Sequence, residues 1–208
     1  MKVLAITGNP KSSGALATLT EEAARGAVEA GADVEFIRLA EKDIGCCRFC
    51  LACLEDSTSD IAACVQKDDM GEILRKIKEA DGFILSCPMS SGHMNALMKM
   101  FEERCAFTLC TATRKVLWVT GIPESRITEK QRYAVTITTT GVIPNVLRFF
   151  FRASTREMAS MARQNLNAAV LGSQYAGRLG YRKLSRLEKR KAYRLGKSLA
   201  AAAAGGVR

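Results

Sequence analysis

Four of the eight cysteines have the spacing of a metal-binding set: Cys47-x2-Cys50-x2-Cys53 on one short stretch, and Cys64 after ten intervening residues. Three close thiolates and a remote fourth are what a [4Fe–4S] cluster requires, one thiolate for each iron. The same four in tetrahedral array would satisfy zinc, and a set of reduced thiols holding no metal is the third reading. The stretch begins like a ferredoxin run but lacks its closing Cys-Pro, and Cys46 is either an unused neighbour or an alternative ligand. Cys87, Cys105 and Cys110 stand among apolar residues and are expected to be small core side chains. Met1 to Gly8 has too short an apolar stretch for a secretory signal and reads as a buried strand. No apolar run approaches the length of a membrane span. The expectation is a cytoplasmic protein whose thiols stay reduced.

A second group of residues is suited to an anion. Gly8-Asn9-Pro10-Lys11-Ser12-Ser13-Gly14 joins a strand to a helix. Glycine lets the backbone approach a ligand, the serines offer hydroxyls, Lys11 a charge, and the helix start at Ala15 favours a phosphate. It is neither a Walker loop nor a Gly-x-Gly-x-x-Gly turn. Pro88-Met89-Ser90-Ser91-Gly92-His93 and Thr138-Thr139-Thr140-Gly141 also follow strands. Each alone is a polar turn; three on one rim suit a flat polar ligand held through backbone groups. Asp68 and Asp69 are expected to cap a helix.

These residues need elements to position them. Apolar and β-branched runs mark strands at Lys2–Thr7, Asp33–Leu39, Gly82–Cys87, Arg132–Thr140 and Asn167–Gly172. Helical spacing marks Ala15–Ala30, Met70–Ala80, Met94 to about Phe107, Val146–Gln164 and a basic helix over 184–204. Strand and helix alternate without a hairpin signal, so the expected fold class is α/β, a five-stranded parallel sheet with helices on both faces. Ligands of such sheets bind beyond the carboxyl ends of the strands, where the three loops lie. One domain over 1–208 is expected, with a cysteine-rich loop at 43–66. Thr108 to Gln131 fits less well; Val116-Leu117-Trp118-Val119 looks like strand and suggests an insertion over the ligand or a neighbouring subunit.

The net charge is +10, and from Arg178 to Arg208 ten Lys or Arg face one acidic residue, leaving the preceding chain close to neutral. A solvated helix face is preferred to a patch for an acidic partner, a membrane surface or RNA, because no aromatic platform accompanies the charge. No nucleic-acid or membrane partner is expected.

Gly8-Asn9-Pro10-Lys11, the cysteine loop leading to Cys64-Val65-Gln66-Lys67-Asp68-Asp69-Met70, and Ala80-Asp81-Gly82-Phe83-Ile84-Leu85-Ser86-Cys87-Pro88 resemble the NADPH-dependent FMN reductases, most of all their iron–sulfur flavoprotein branch. The likeness runs from Met1 to about Arg104, and more loosely through the strands at Ala134 and Val170. The resemblance implies a flavodoxin-like three-layer sandwich, bound FMN and electron transfer from NAD(P)H or a reduced carrier protein. It also implies a homodimer or homotetramer, for which Phe149-Phe150-Phe151 and the segment near Trp118 are interface candidates. It assigns the cofactor to Asn9, Pro10, Lys11, Ser12, Ser13, Gly14, Ala15 and Leu16 on the phosphate side. Pro88, Met89, Ser90, Ser91, Gly92 and His93 fall beside the ring, and Thr139, Thr140 and Gly141 on the third loop complete the cofactor-binding set. His93, the sole histidine, is a candidate contact rather than a base, and a helix-start residue facing solvent is the equal alternative. No catalytic acid or base is assigned, since flavin chemistry asks mainly for binding and orientation.

The chain departs from the family pattern in three places. Ala15 and Leu16 replace the Asn-Thr that holds the phosphate, Met89, Ser90 and Ser91 replace aromatics beside the ring, and the loop to the fourth cysteine is longer. The alternative function is therefore a cofactor-free flavodoxin-like binding protein, acting through its cysteines or its basic tail.

Overall fold

Val3, Leu4, Ala5 and Ile6 are all buried, as the unbroken apolar run requires of a strand covered on both faces. They belong to β1 (Lys2–Thr7) in a computed structural model that describes residues 1–56, 58–116 and 118–205. The elements that follow are α1 (Ala15–Glu29), β2 (Asp33–Arg38), α2 (Ala52–Glu55), α3 (Met70–Glu79), β3 (Gly82–Ser90), β4 (His93–Met94), α4 (Ala96–Ala106), β5 (Cys110–Val116), β6 (Val119–Ser125), β7 (Arg132–Thr139), α5 (Ala153–Gln164), β8 (Ala168–Ala176) and α6 (Arg186–Gly205).

The expected five-stranded parallel sheet is present, in the order β2-β1-β3-β7-β8. One face is covered by α1 and α6 through Leu16, Leu19, Ala23, Leu199 and Ala200. The other is covered by α3, α4 and α5 through Ile73, Ile77, Met98, Phe101 and Met158. The three candidate loops follow β1, β3 and β7, adjacent strands of one rim.

Two hairpins were not expected. β3 runs past Pro88 to Ser90 and turns back into β4 through Ser91 (φ 49°) and Gly92 (φ 90°). Positive φ at both central residues is the turn that matches strand twist, and Ser-Gly supplies it cheaply. The poorly fitting segment forms the antiparallel pair β5–β6; within Val116–Val119, Leu117 lies outside the described residues. The expected helix over 146–164 divides. A 3₁₀ turn spans Asn145–Phe149 and α5 starts only at Ala153. Three consecutive aromatics cannot share one face of a helix, and Phe149, Phe150 and Phe151 remain on the surface.

The basic C-terminal segment is structural as far as residue 205; residues 206–208 lie outside the described part. α6 buries Ala192, Gly196, Leu199, Ala200 and Ala203 and crosses α1 closely. A Cβ at Gly196 would stand 1.7 Å from the Ala23 carbonyl oxygen, so only glycine permits the crossing. The helix opens with a reciprocal capping box: Glu188 N–H donates to Ser185 Oγ, and Ser185 N–H donates to Glu188 Oε2. Arg182 adds two further donations and, with Ser185, holds the Glu188 carboxyl down at about 2, against burial. A depressed carboxyl stabilises the fold above its unfolded value of 4.5, and that contribution is lost as pH falls through about 2. Glu188→Ala is expected to lower unfolding free energy by about 1–2 kcal/mol at pH 7. The deficit should shrink between pH 4.5 and about 2, read by urea unfolding across that range.

Candidate functional site

The loop after β1 is built to stay open. Asn9 turns inward, its N–H donating to Thr7 Oγ1 while its Oδ1 accepts from Lys11 N–H. Asn95, which caps α4 by accepting from Met98 N–H, donates to the Gly8 carbonyl and so ties the first and second loops together. Beyond this anchor, Pro10, Lys11, Ser12, Ser13 and Gly14 are exposed, and no side chain caps α1. The uncapped N–H groups of α1 and the side chains of Lys11, Ser12 and Ser13, which have no partner among the described residues, form a cradle for an anion. Asn9, Lys11 and Ser12 also line a shallow surface pocket with Thr7, Phe36 and Arg38. Leu16 is different: its side chain is 5% exposed in the α1 core, so it can offer a ligand nothing but its backbone.

The second loop is a hairpin tip rather than a helix-start loop. Glu157 of α5 fixes it: its carboxylate contacts His93 Nδ1 at 2.6 Å and accepts from Met94 N–H at 2.8 Å. Burial opposes ionisation of Glu157, but these two bonds and the nearby Lys99 hold its carboxyl below the usual range. Ser154 N–H donates to the Gly92 carbonyl. His93 is therefore exposed and directed to α5. Thr139 and Thr140 are buried at the end of β7, where Thr140 N–H donates to Ala176 O and its carbonyl accepts from Leu179 N–H. Gly141 remains exposed.

Away from these loops, Cys47, Cys50, Cys53 and Cys64 line a single small pocket, with Arg104 and Phe107 among its walls. Burial raises the Cys53 thiol above its ordinary value, and Cys64, Cys47 and Cys50 add to the rise, which places all four within electrostatic reach. Among the described residues, no three of His, Cys, Asp or Glu converge closely enough to hold a metal ion as they stand. The thiols surround a space rather than a point. Phe49 (φ 50°) and Leu51 (φ 61°) adopt left-handed backbone on either side of Cys50, a strained state for bulky residues and one that concentrates at functional sites. Cys87, Cys105 and Cys110 are buried as expected, and burial pushes their thiols up, Cys110 to about 11.

Two arginines unmarked in the sequence hold this loop. Arg104 donates to the Gly45 carbonyl, to both oxygens of Asp68 and to Cys64 Sγ. Arg126 donates to the carbonyls of Cys53, Ser59 and Cys110. Asp68, one residue before the N-cap of α3, accepts from Met70 N–H and from Gly45 N–H. Asp69, the N-cap residue, gives the helix no side-chain cap and accepts from Asp43 N–H instead, a departure from the expected capping. Burial works against the charge of Asp68, but Arg104 and the two N–H donors hold its carboxyl below the ordinary value. Arg104 carried one sequence signal: it lies three residues after Phe101, on the apolar stripe of α4.

With a flavodoxin-type sheet, an open anion loop and a four-cysteine cavity in place, the chain can be set beside known proteins. The family model for NADPH-dependent FMN reductase matches residues 1–144. The chain belongs to this family. An iron–sulfur flavoprotein of Methanocaldococcus jannaschii is 40% identical over 104 residues, half of this chain and 51% of that protein. The chain thus matches about half the length of such relatives. A flavone reductase superposes with a TM-score of 0.71 at 20% identity, covering 98% of this chain and 63% of the other. An archaeal flavodoxin superposes at 0.57 and 13% identity, covering 98% and 99%. The FMN reductase match ends within the loop after β7, so it includes all three rim loops and the whole cysteine loop. Among the described residues, no helix is long and apolar enough to cross a membrane.

Proposed function

We propose that this chain is an FMN-binding oxidoreductase that takes electrons from NAD(P)H or a reduced carrier protein, with a [4Fe–4S] cluster on Cys47, Cys50, Cys53 and Cys64. The observation that carries the reading is the single cavity walled by those four thiols in a member of the FMN reductase family. Lys11, Ser12, Ser13 and the first N–H groups of α1 would hold the flavin phosphate. Ala15 and Leu16 would contribute backbone alone, and Asn9, Pro10 and Gly14 would shape the turn. Pro88, Met89, Ser90, Ser91, Gly92 and His93, with Thr139, Thr140 and Gly141, would border the ring. Bound flavin supplies two-electron chemistry and the cluster one-electron transfer; the protein's part is to bind, orient and exclude water. Exposed Phe149, Phe150 and Phe151 suit self-association into a dimer or tetramer.

The test is an anaerobic preparation examined by visible spectrum, FMN titration, and iron and sulfide assay. Flavin bands, or tight binding of added FMN, support the reading, and no FMN binding defeats it in favour of a cofactor-free binding protein. Lys11→Gln is expected to weaken FMN about tenfold or more, because a charge-assisted bond to phosphate contributes roughly 1.5–3 kcal/mol.

A further inference from the structure

The four candidate ligands share their cavity with one buried cation. Arg104 is 3% exposed. Its Nη1 donates to Gly45 O at 2.8 Å and to Asp68 Oδ2, and its Nη2 donates to Asp68 Oδ1 at 3.1 Å and to Cys64 Sγ at 3.5 Å. Its Nε is buried without any hydrogen-bond partner. A guanidinium keeps its charge when buried, and a buried N–H lacking an acceptor is costly enough to need a reason. Arg104 spans the loop from Gly45, just before the first cysteines, to Cys64, the last. It therefore governs where the remote fourth thiol stands relative to the other three.

We propose that Arg104 is a positioning residue of the cysteine site: it holds Cys64 through an N–H···S bond and thereby raises the reduction potential of the cluster. The inference rests on the cluster reading above. In the one-electron step an external reductant gives up one electron and no bond forms or breaks. The added negative charge spreads over the iron–sulfur core and its thiolates, where a donor beside Cys64 favours the reduced state. Asp68 neutralises much of the guanidinium's distant field, so the effect is local to the sulfur. Arg48 serves as the control: it lines the same cavity but is exposed and makes no hydrogen bond among the described residues.

The experiment uses the full chain, reconstituted anaerobically with iron and sulfide. A wild-type protein that cannot hold four of each overturns the cluster reading, and the inference with it. With a full cluster, a dithionite titration followed by electron paramagnetic resonance compares wild type, Arg104→Gln, Arg104→Lys and Arg48→Gln. Lysine keeps the ion pair with Asp68, which protects the fold, but its single ammonium cannot also serve Cys64. Both Arg104 variants are expected to be harder to reduce by about tenfold in the ratio of reduced to oxidised protein, or about 59 mV for one electron. Arg48→Gln is expected to stay near wild type. A folded, cluster-bearing Arg104 variant at the wild-type potential overturns the proposal, and so does an equal shift in Arg48→Gln. One measurement needs no change at 104. Protein grown on arginine labelled with heavy nitrogen in the guanidinium should show a nitrogen coupling to the reduced cluster that persists in Arg48→Gln. Absence of that coupling also overturns the proposal.

Discussion

On the proposed cluster reading, Cys64→Ser is expected to prevent four irons from assembling on the chain while leaving it folded. A serine hydroxyl stays protonated near neutral pH and is a poor substitute for thiolate, so one iron lacks its ligand. The fold has little at stake there: Cys64 is half-buried on a loop, and Arg104 retains Asp68 and the Gly45 carbonyl when the sulfur is removed. Iron and sulfide should fall below four per chain, with the far-ultraviolet circular dichroism unchanged. Cys105→Ser should show the opposite pattern. Cys105 is fully buried between Phe101 and Leu109 on the core side of α4, so a hydroxyl there costs about 1–3 kcal/mol of stability but leaves the iron in place. A Cys64→Ser protein retaining four iron per chain would remove Cys64 from the ligand set. It would also move attention to Cys46, the neighbour that the spacing left spare.

The largest effect on stability is expected at Arg132. This arginine is wholly buried at the start of β7, and its guanidinium donates to the carbonyls of Ala80, Ile127, Lys130 and Lys78 as well as pairing with Glu129. It thus joins the end of α3, the segment after β6 and the first residue of β7. Arg132→Met keeps the aliphatic stem but removes the guanidinium and strands several buried acceptors, and removing one partner of a buried charged network costs roughly 3–5 kcal/mol. The urea midpoint should drop by about 1–2 M. Arg132→Lys should fall between, since one ammonium cannot reach four carbonyls spread around a planar fork. A loss below about 1 kcal/mol for the methionine variant would show that water satisfies those carbonyls instead.

The sheet was legible in the sequence because it is written in local pattern. Val3 to Ile6 and Phe83 to Leu85 are continuous apolar runs, and only a strand buried on both faces needs them. The Ser91-Gly92 turn has a local signal, whereas Pro88 reads as a stop just after a strand over Gly82–Cys87. Pairing with β1 ends at Ser86, Pro88 stays in register with Thr139 of β7, and β3 continues two residues further. The expected helix over 146–164 divides at Phe149-Phe150-Phe151 although no proline or glycine interrupts that stretch to mark the break.

The spacing of Cys47, Cys50, Cys53 and Cys64 by itself marked four thiols as a candidate set, and they do line one pocket. Which groups surround them was decided by tertiary structure alone. Arg104 lies 40 residues from Cys64, and Arg126 lies 73 from Cys53. Contacts at such separations depend on how α4 and the β5–β6 hairpin pack over the loop, which no local periodicity encodes. The candidate phosphate loop divides in the same way. Its serines and Lys11 are evident from composition, whereas the burial of Leu16 follows from the face of α1 turned to the sheet. That face reduces Leu16 to a backbone donor.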